Sequence, residues 1–128
     1  MNGLVALLGR VLLAAIFILS GISKFQSPVE TTAAIASVGI PLADIAYWAT
    51  VLLEVVGGVL LIAGFQTRLM ALGLFAFTLA TAFLFHFDFG DQMQMIMFMK
   101  NIAIAGGLMQ VMAFGGGALS IDGRKSGG

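Results

Sequence analysis

Four long apolar runs, separated by short polar stretches, make up most of this chain. They extend from about Leu4 to Ser23, Leu42 to Gly64, Arg68 to Phe85 and Met95 to Phe114. Each approaches the roughly 20 residues that a helix needs to cross a bilayer. The runs are continuous, without the apolar–polar alternation of a transmembrane barrel. In the first, Arg10, the stretch 11–19 and the small residues Gly21 and Ser23 loosely follow the layout of a secretion signal. No Lys or Arg precedes Arg10, so an uncleaved first helix is expected.

The connections predict how the helices are ordered. Ser27-Pro28-Val29-Glu30 has the form of a helix start, with Ser27 as N-cap, Pro28 in the first turn and Glu30 completing a capping box. Gly39 and Pro41 stop it, giving a short helix over about 28–37 at the membrane surface. The linker at 65–67 is so short that the second and third spans must be antiparallel neighbours. Residues 87–94 form a polar turn, Gly115-Gly116-Gly117 ends the fourth span, and 122–128 is expected to fray. The expected fold is an all-α integral membrane bundle of four transmembrane helices, with one interfacial helix between the first two spans. All 128 residues belong to this single domain.

Composition agrees. Only 9% of residues are charged and 60% are hydrophobic, against roughly 25% charged in ordinary soluble domains. A chain this small could not bury so much apolar surface in water. A formal net charge of zero argues against nucleic acid as a partner. With no cysteine and one histidine, thiolate metal sites, disulfides and multi-imidazole centres are out of reach, and no metal site is expected. Met93, Met95, Met97 and Met99 could offer thioethers to Cu(I), but methionine also serves as adaptable apolar filler. Lys and Arg are more numerous on the side of the termini, which places both termini in the cytoplasm. Tyr47 and Trp48 suit an interfacial aromatic belt.

Charges within the spans carry the functional signal, because placing one at the bilayer centre costs roughly 2.5–3.5 kcal/mol on insertion scales. Glu54 is the deepest, and Arg10 lies within reach of it from the same side, so the two are expected to pair. Such a pair could fix helix register or line a site. Small residues share a face with these charges: Arg10, Ala14, Phe17, Gly21 and Lys24 on the first helix; Ala46, Thr50, Glu54 and Gly58 on the second. The third shows Thr78, Ala82 and His86, and the fourth Lys100, Ala103, Gly107 and Gln110. Turned inward, these faces make a polar seam whose candidate ligand-binding residues are Arg10, Lys24, Glu54, His86, Lys100 and Asn101. Lys24 and His86 could instead snorkel to the interface, and Lys100 could reach Asp88 or Asp91. The seam is rich in donors, which favours a ligand with acceptor oxygens: a quinone, a carboxylate or a sulfur oxyanion.

Several short stretches in order resemble the DoxX family. They are Gly9-Arg10, Ser20-Gly21-Ile22-Ser23-Lys24, Glu54-Val55-Val56-Gly57-Gly58 and Gly64-Phe65-Gln66-Thr67-Arg68, then Phe85-His86, Lys100-Asn101-Ile102-Ala103, Gly106-Gly107 and the tail 117–122. The resemblance implies a small, multi-pass bacterial inner-membrane protein. It also implies association with membrane oxidoreductase systems, such as thiosulfate:quinone oxidoreductase or a superoxide-detoxification complex. Three functions follow as expectations, and whether the chain is itself an enzyme stays open. It could be a quinone-interacting subunit beside a partner oxidoreductase, with the quinone its one expected cofactor. It could bind or transport a small amphiphile or anion, in which case a homo-oligomer would help to form a path. Or it could be an interaction scaffold in which the seam only specifies packing.

Overall fold

The computed structural model describes residues 2–125. Four helices are long and apolar enough to cross a membrane: α1 (Asn2–Phe25), α3 (Ala43–Ala63), α4 (Thr67–Phe85) and α5 (Gln92–Phe114). Two short helices join them, α2 (Pro28–Ser37) and α6 (Ile121–Lys125). There are no strands among the described residues.

The bundle is built from two tightly packed pairs, α1 with α3 and α4 with α5, joined along α3 and α4. By contrast, α1 and α5 barely meet, so the ring is incomplete on that side. The α1–α3 pair is close because of glycine. A Cβ on Gly21 would lie 2.6 Å from Val55 Cγ2, and one on Gly58 would lie 2.7 Å from Ile18 Cγ1. The buried residues of α1 are Arg10, Ala14, Phe17 and Gly21, as the helical stripe predicts. The central apolar cluster joins Ala14 and Phe17 to Leu61, Ala71, Leu74 and Leu108.

Several expectations change. α2 has the predicted bounds, but Ser27 makes no side-chain cap bond, so the capping box does not form. Its hydroxyl donates instead to Ser23 O at 2.8 Å, closing the end of α1. α5 begins at Gln92, earlier than its apolar run, because Asp91 caps it by accepting from Met93 N at 2.9 Å. The α5 stripe of Lys100, Ala103, Gly107 and Gln110 is not the buried face. Ala105 and Leu108 are buried instead, because α5 turns mainly toward α4. Tyr47 is buried against Ile35 and Val51 and donates to Lys24 O at 3.0 Å, whereas Trp48 is exposed beside it. The tail is not frayed as far as Lys125, because 121–125 form α6. Residues 126–128 of that expected tail lie outside the described residues.

Candidate functional site

The two ends of the bundle use their charges differently. At the end where α1 begins and α5 finishes, the terminal end, Arg10 is 1% exposed. Its guanidinium donates to Leu61 O at 3.0 Å, to Ile62 O at 2.6 Å and to Leu119 O. Leu61 and Ile62 lie in the last turn of α3, whose final carbonyls have no partner within the helix. A cation there also meets the negative end of the helix dipole. Asp122 does the converse for α4, accepting from Gln66 N at 3.0 Å, Thr67 N at 2.8 Å and Thr67 Oγ1 at 2.7 Å. Its own N–H donates to Gly64 O at 2.9 Å. Gly64 has φ +75°, and a Cβ there would run into Ser120. The α3–α4 turn and the returning C-terminal segment therefore fit only without a side chain at Gly64.

The expected Arg10–Glu54 pair does not form. A helical Cα–Cβ bond tilts toward the helix N-terminus. α1 and α3 run in opposite directions, so Arg10 leans toward the terminal end and Glu54 toward the distal end, where α2 lies. The same rule turns Lys24 back into the bundle from the distal end of α1. Lys24 Nζ donates to Glu54 Oε1 at 2.7 Å and to Ser20 Oγ at 2.7 Å. Glu54 is 2% exposed, and Lys24 is its one ion-pair partner among the described residues.

This pair borders a cavity of about 1070 Å³ in the distal half, lined by residues of α1, α2, α3, α4 and α5. Its walls are largely apolar, with Leu12, Phe17, Phe77 and Leu84 among them. Lys24, Glu54, His86, Lys100 and Asn101 all line it, together with Thr50 and Thr81. Five of the six candidates from the sequence thus converge, and Arg10 stands apart in the terminal network. Glu30, Thr31, Ala34 and Ile35 of α2 close the distal side, a contribution that the sequence reading missed. The capping-box assignment had given Glu30 a local role, and no periodic signal marked α2 as a wall.

The polar groups in the cavity differ in how free they are. His86 Nδ1 lies 2.8 Å from Gln94 Oε1, donating in its Nδ1–H tautomer, which ties the end of α4 to α5. Asn101 Nδ2 donates to Thr81 Oγ1 at 3.1 Å and to Thr78 O at 3.3 Å. Lys100 makes no hydrogen bond or ion pair among the described residues. Its possible partners are engaged elsewhere, with Asp88 accepting from Gly90 N and Asp91 capping α5. Lys100 lies eight residues past the start of α5, about 12 Å along the axis. Among the described residues no group of His, Cys, Asp or Glu could hold a metal ion. The four methionines do not converge either, because Met93, Met95 and Met99 are exposed while Met97 lines the cavity.

Residues 5–87, spanning α1 to α4, match the DoxX family. The chain belongs to the DoxX family. It is 39% identical over 116 residues to the inner membrane protein YqjF of Escherichia coli K12, covering 91% of this chain and 88% of that protein. It is 35% identical over 123 residues to the inner membrane protein YphA of the same organism, covering 92% and 88%. No solved structure matches the chain significantly. The DoxX match includes Arg10, Lys24, Glu54 and His86, while Lys100 and Asn101 lie beyond it on α5.

Proposed function

We propose that this DoxX-family protein is a membrane-embedded binding subunit for a small amphiphile with acceptor oxygens, a quinone among them, serving a membrane oxidoreductase system. The observation that carries the binding role is the distal cavity, which combines apolar walls with the lysines Lys24 and Lys100 on helices long enough to span the membrane. Intramembrane ionisable residues are costly and tend to mark ligand or ion paths. At about 1070 Å³, the cavity is as large as the larger small-molecule pockets, which run to roughly 1,000 Å³. Its residues fit a quinone head: Lys100 Nζ is free to donate to a carbonyl oxygen, and apolar side chains would flank the ring. A quinone would supply the redox chemistry, and the protein would hold and orient it. The oxidoreductase link rests on the family resemblance. Since the chain has no cysteine, electrons would pass through the bound carrier or a partner subunit.

The relatives are named as inner membrane proteins, and the excess of basic residues near the terminal end supports cytoplasmic termini. A periplasm-active reporter fused to the C-terminus should stay silent, and activity would reverse the orientation. Native mass spectrometry of protein purified in mild detergent tests the binding role. A quinone-sized adduct is expected in the wild type and should be lost or reduced in Glu54→Gln, which releases Lys24 from its place. A bare protein in both, even after ubiquinone-2 is added, would reduce the seam to a packing device.

A further inference from the structure

The charge balance of the cavity narrows what it can hold. Lys24 is neutralised by Glu54 at 2.7 Å, and Ser20 takes a second of its protons. His86 and Asn101 are engaged in linking α4 to α5. Glu30 on the α2 side makes no ion pair among the described residues and does not reach Lys100. Two charges that line the cavity are therefore left without an ion pair among the described residues, Lys100 on α5 and Glu30 on α2, both of them exposed residues. A lone cation in hydrocarbon is expensive, and an anion brought beside it relieves that cost.

The shape of the opening adds a second constraint. The cavity is lined from both sides of the gap between α1 and α5, two helices that barely touch. Leu12, Ile16 and Leu19 line it from α1 and Met97, Lys100 and Ile104 from α5. Leu12, Ile16 and Leu19 are all exposed on the bundle's lipid-facing side. Nearer the terminal end, Leu13 packs over Gly107, and a second, smaller cavity of about 470 Å³ lies between the same two helices, with Gly9, Arg10 and Gln110 among its lining. A ligand using this route comes from the acyl region of the bilayer, and its apolar part can remain between Leu12 and Ile104.

We infer that the site selects a single-chain amphiphile with one anionic head group, a long-chain carboxylate, whose head rests on Lys100 and whose tail exits between α1 and α5. This rests on the binding role proposed above and sharpens it to a charge and a shape.

The test uses the full chain in phosphatidylcholine nanodiscs, with palmitoleate as probe and ubiquinone-2 as its neutral counterpart, read by native mass spectrometry. Palmitoleate is expected to bind the wild type. Lys100→Met should weaken it by about ten- to a hundredfold, the usual worth of a charge-assisted hydrogen bond. Lys100→Arg should restore most of the binding. Because Lys100 has no structural partner, both variants should melt like the wild type, which separates loss of ligand from loss of fold. Ubiquinone-2 binding that Lys100→Met leaves unchanged, with no palmitoleate bound, would overturn the anionic assignment and leave the binding role standing. Binding of neither probe would overturn both. Thiosulfate competing as well as palmitoleate would show that the tail contributes nothing. Displacement of palmitoleate by phosphatidylglycerol would replace the single-chain ligand with an anionic lipid.

Discussion

The terminal and distal halves of this bundle contain charges of similar depth but opposite use. In the terminal half, Arg10 and Asp122 are spent on backbone: one holds the last carbonyls of α3, the other the first N–H groups of α4. In the distal half, Glu54 and Lys24 satisfy each other at the edge of a cavity, and Lys100 satisfies nothing. The difference shows that an intramembrane charge is not by itself a functional signal. What separates the two kinds is whether a helix end lies within reach. α3 ends and α4 begins at the terminal end, where a tight turn leaves unpaired backbone groups inside the bundle. Lys100 lies in mid-helix, where every backbone group near it is already bonded, so no helix end offers it a partner.

Mutations should break the two halves in different ways. Arg10→Leu is expected to have the largest effect on folding, because it strands three carbonyls in an apolar setting. A loss of about 3 kcal/mol or more is expected, visible as a collapsed melting curve or aggregation in detergent. Glu54→Gln should cost about 1–2 kcal/mol, since Lys24 is partly exposed and can reorient toward the interface. Adding Lys24→Met to it should cost less than the sum of the two single changes, which a double-mutant cycle would measure. Asp122→Ala removes an N-terminal cap and should cost about 1 kcal/mol, with faster hydrogen exchange at Gln66 and Thr67. Lys100→Met should change stability least, by less than about 0.5 kcal/mol, while changing ligand occupancy most. A Lys100→Met variant that failed to fold would erase the contrast between the halves.

The elements were legible in the sequence because membrane spans are written as long apolar runs, and α2 as Pro28 followed by a stop at Gly39. The grouping of polar residues at the distal cavity was legible in part: Lys24, Glu54, His86, Lys100 and Asn101 do line it, though Glu54 alone of them is buried and Lys100 is exposed. The partner of each charge was not. Depth along the axis made Arg10 and Glu54 neighbours, but depth ignores the tilt of side chains toward the N-terminus, which is opposite on antiparallel helices. The role of Asp122 was hidden for another reason. A short polar tail after three glycines carries no periodic signal, and its order comes from docking onto the α3–α4 turn. The cavity itself depends on the near absence of contact between α1 and α5, a property of packing that no single helix records.

The absence of native cysteine makes a direct comparison of the halves possible, because each introduced thiol is the sole reporter. Thr50 lines the distal cavity, whereas Thr67 is buried in the terminal network. N-ethylmaleimide labelling of Thr50→Cys and Thr67→Cys in membranes, with and without palmitoleate, tests the division most directly. The expected result is labelling at position 50 that palmitoleate suppresses, and little labelling at position 67 under either condition. Equal labelling at the two positions, insensitive to palmitoleate, would contradict a ligand-accessible distal cavity set against a buried network at the α3–α4 turn.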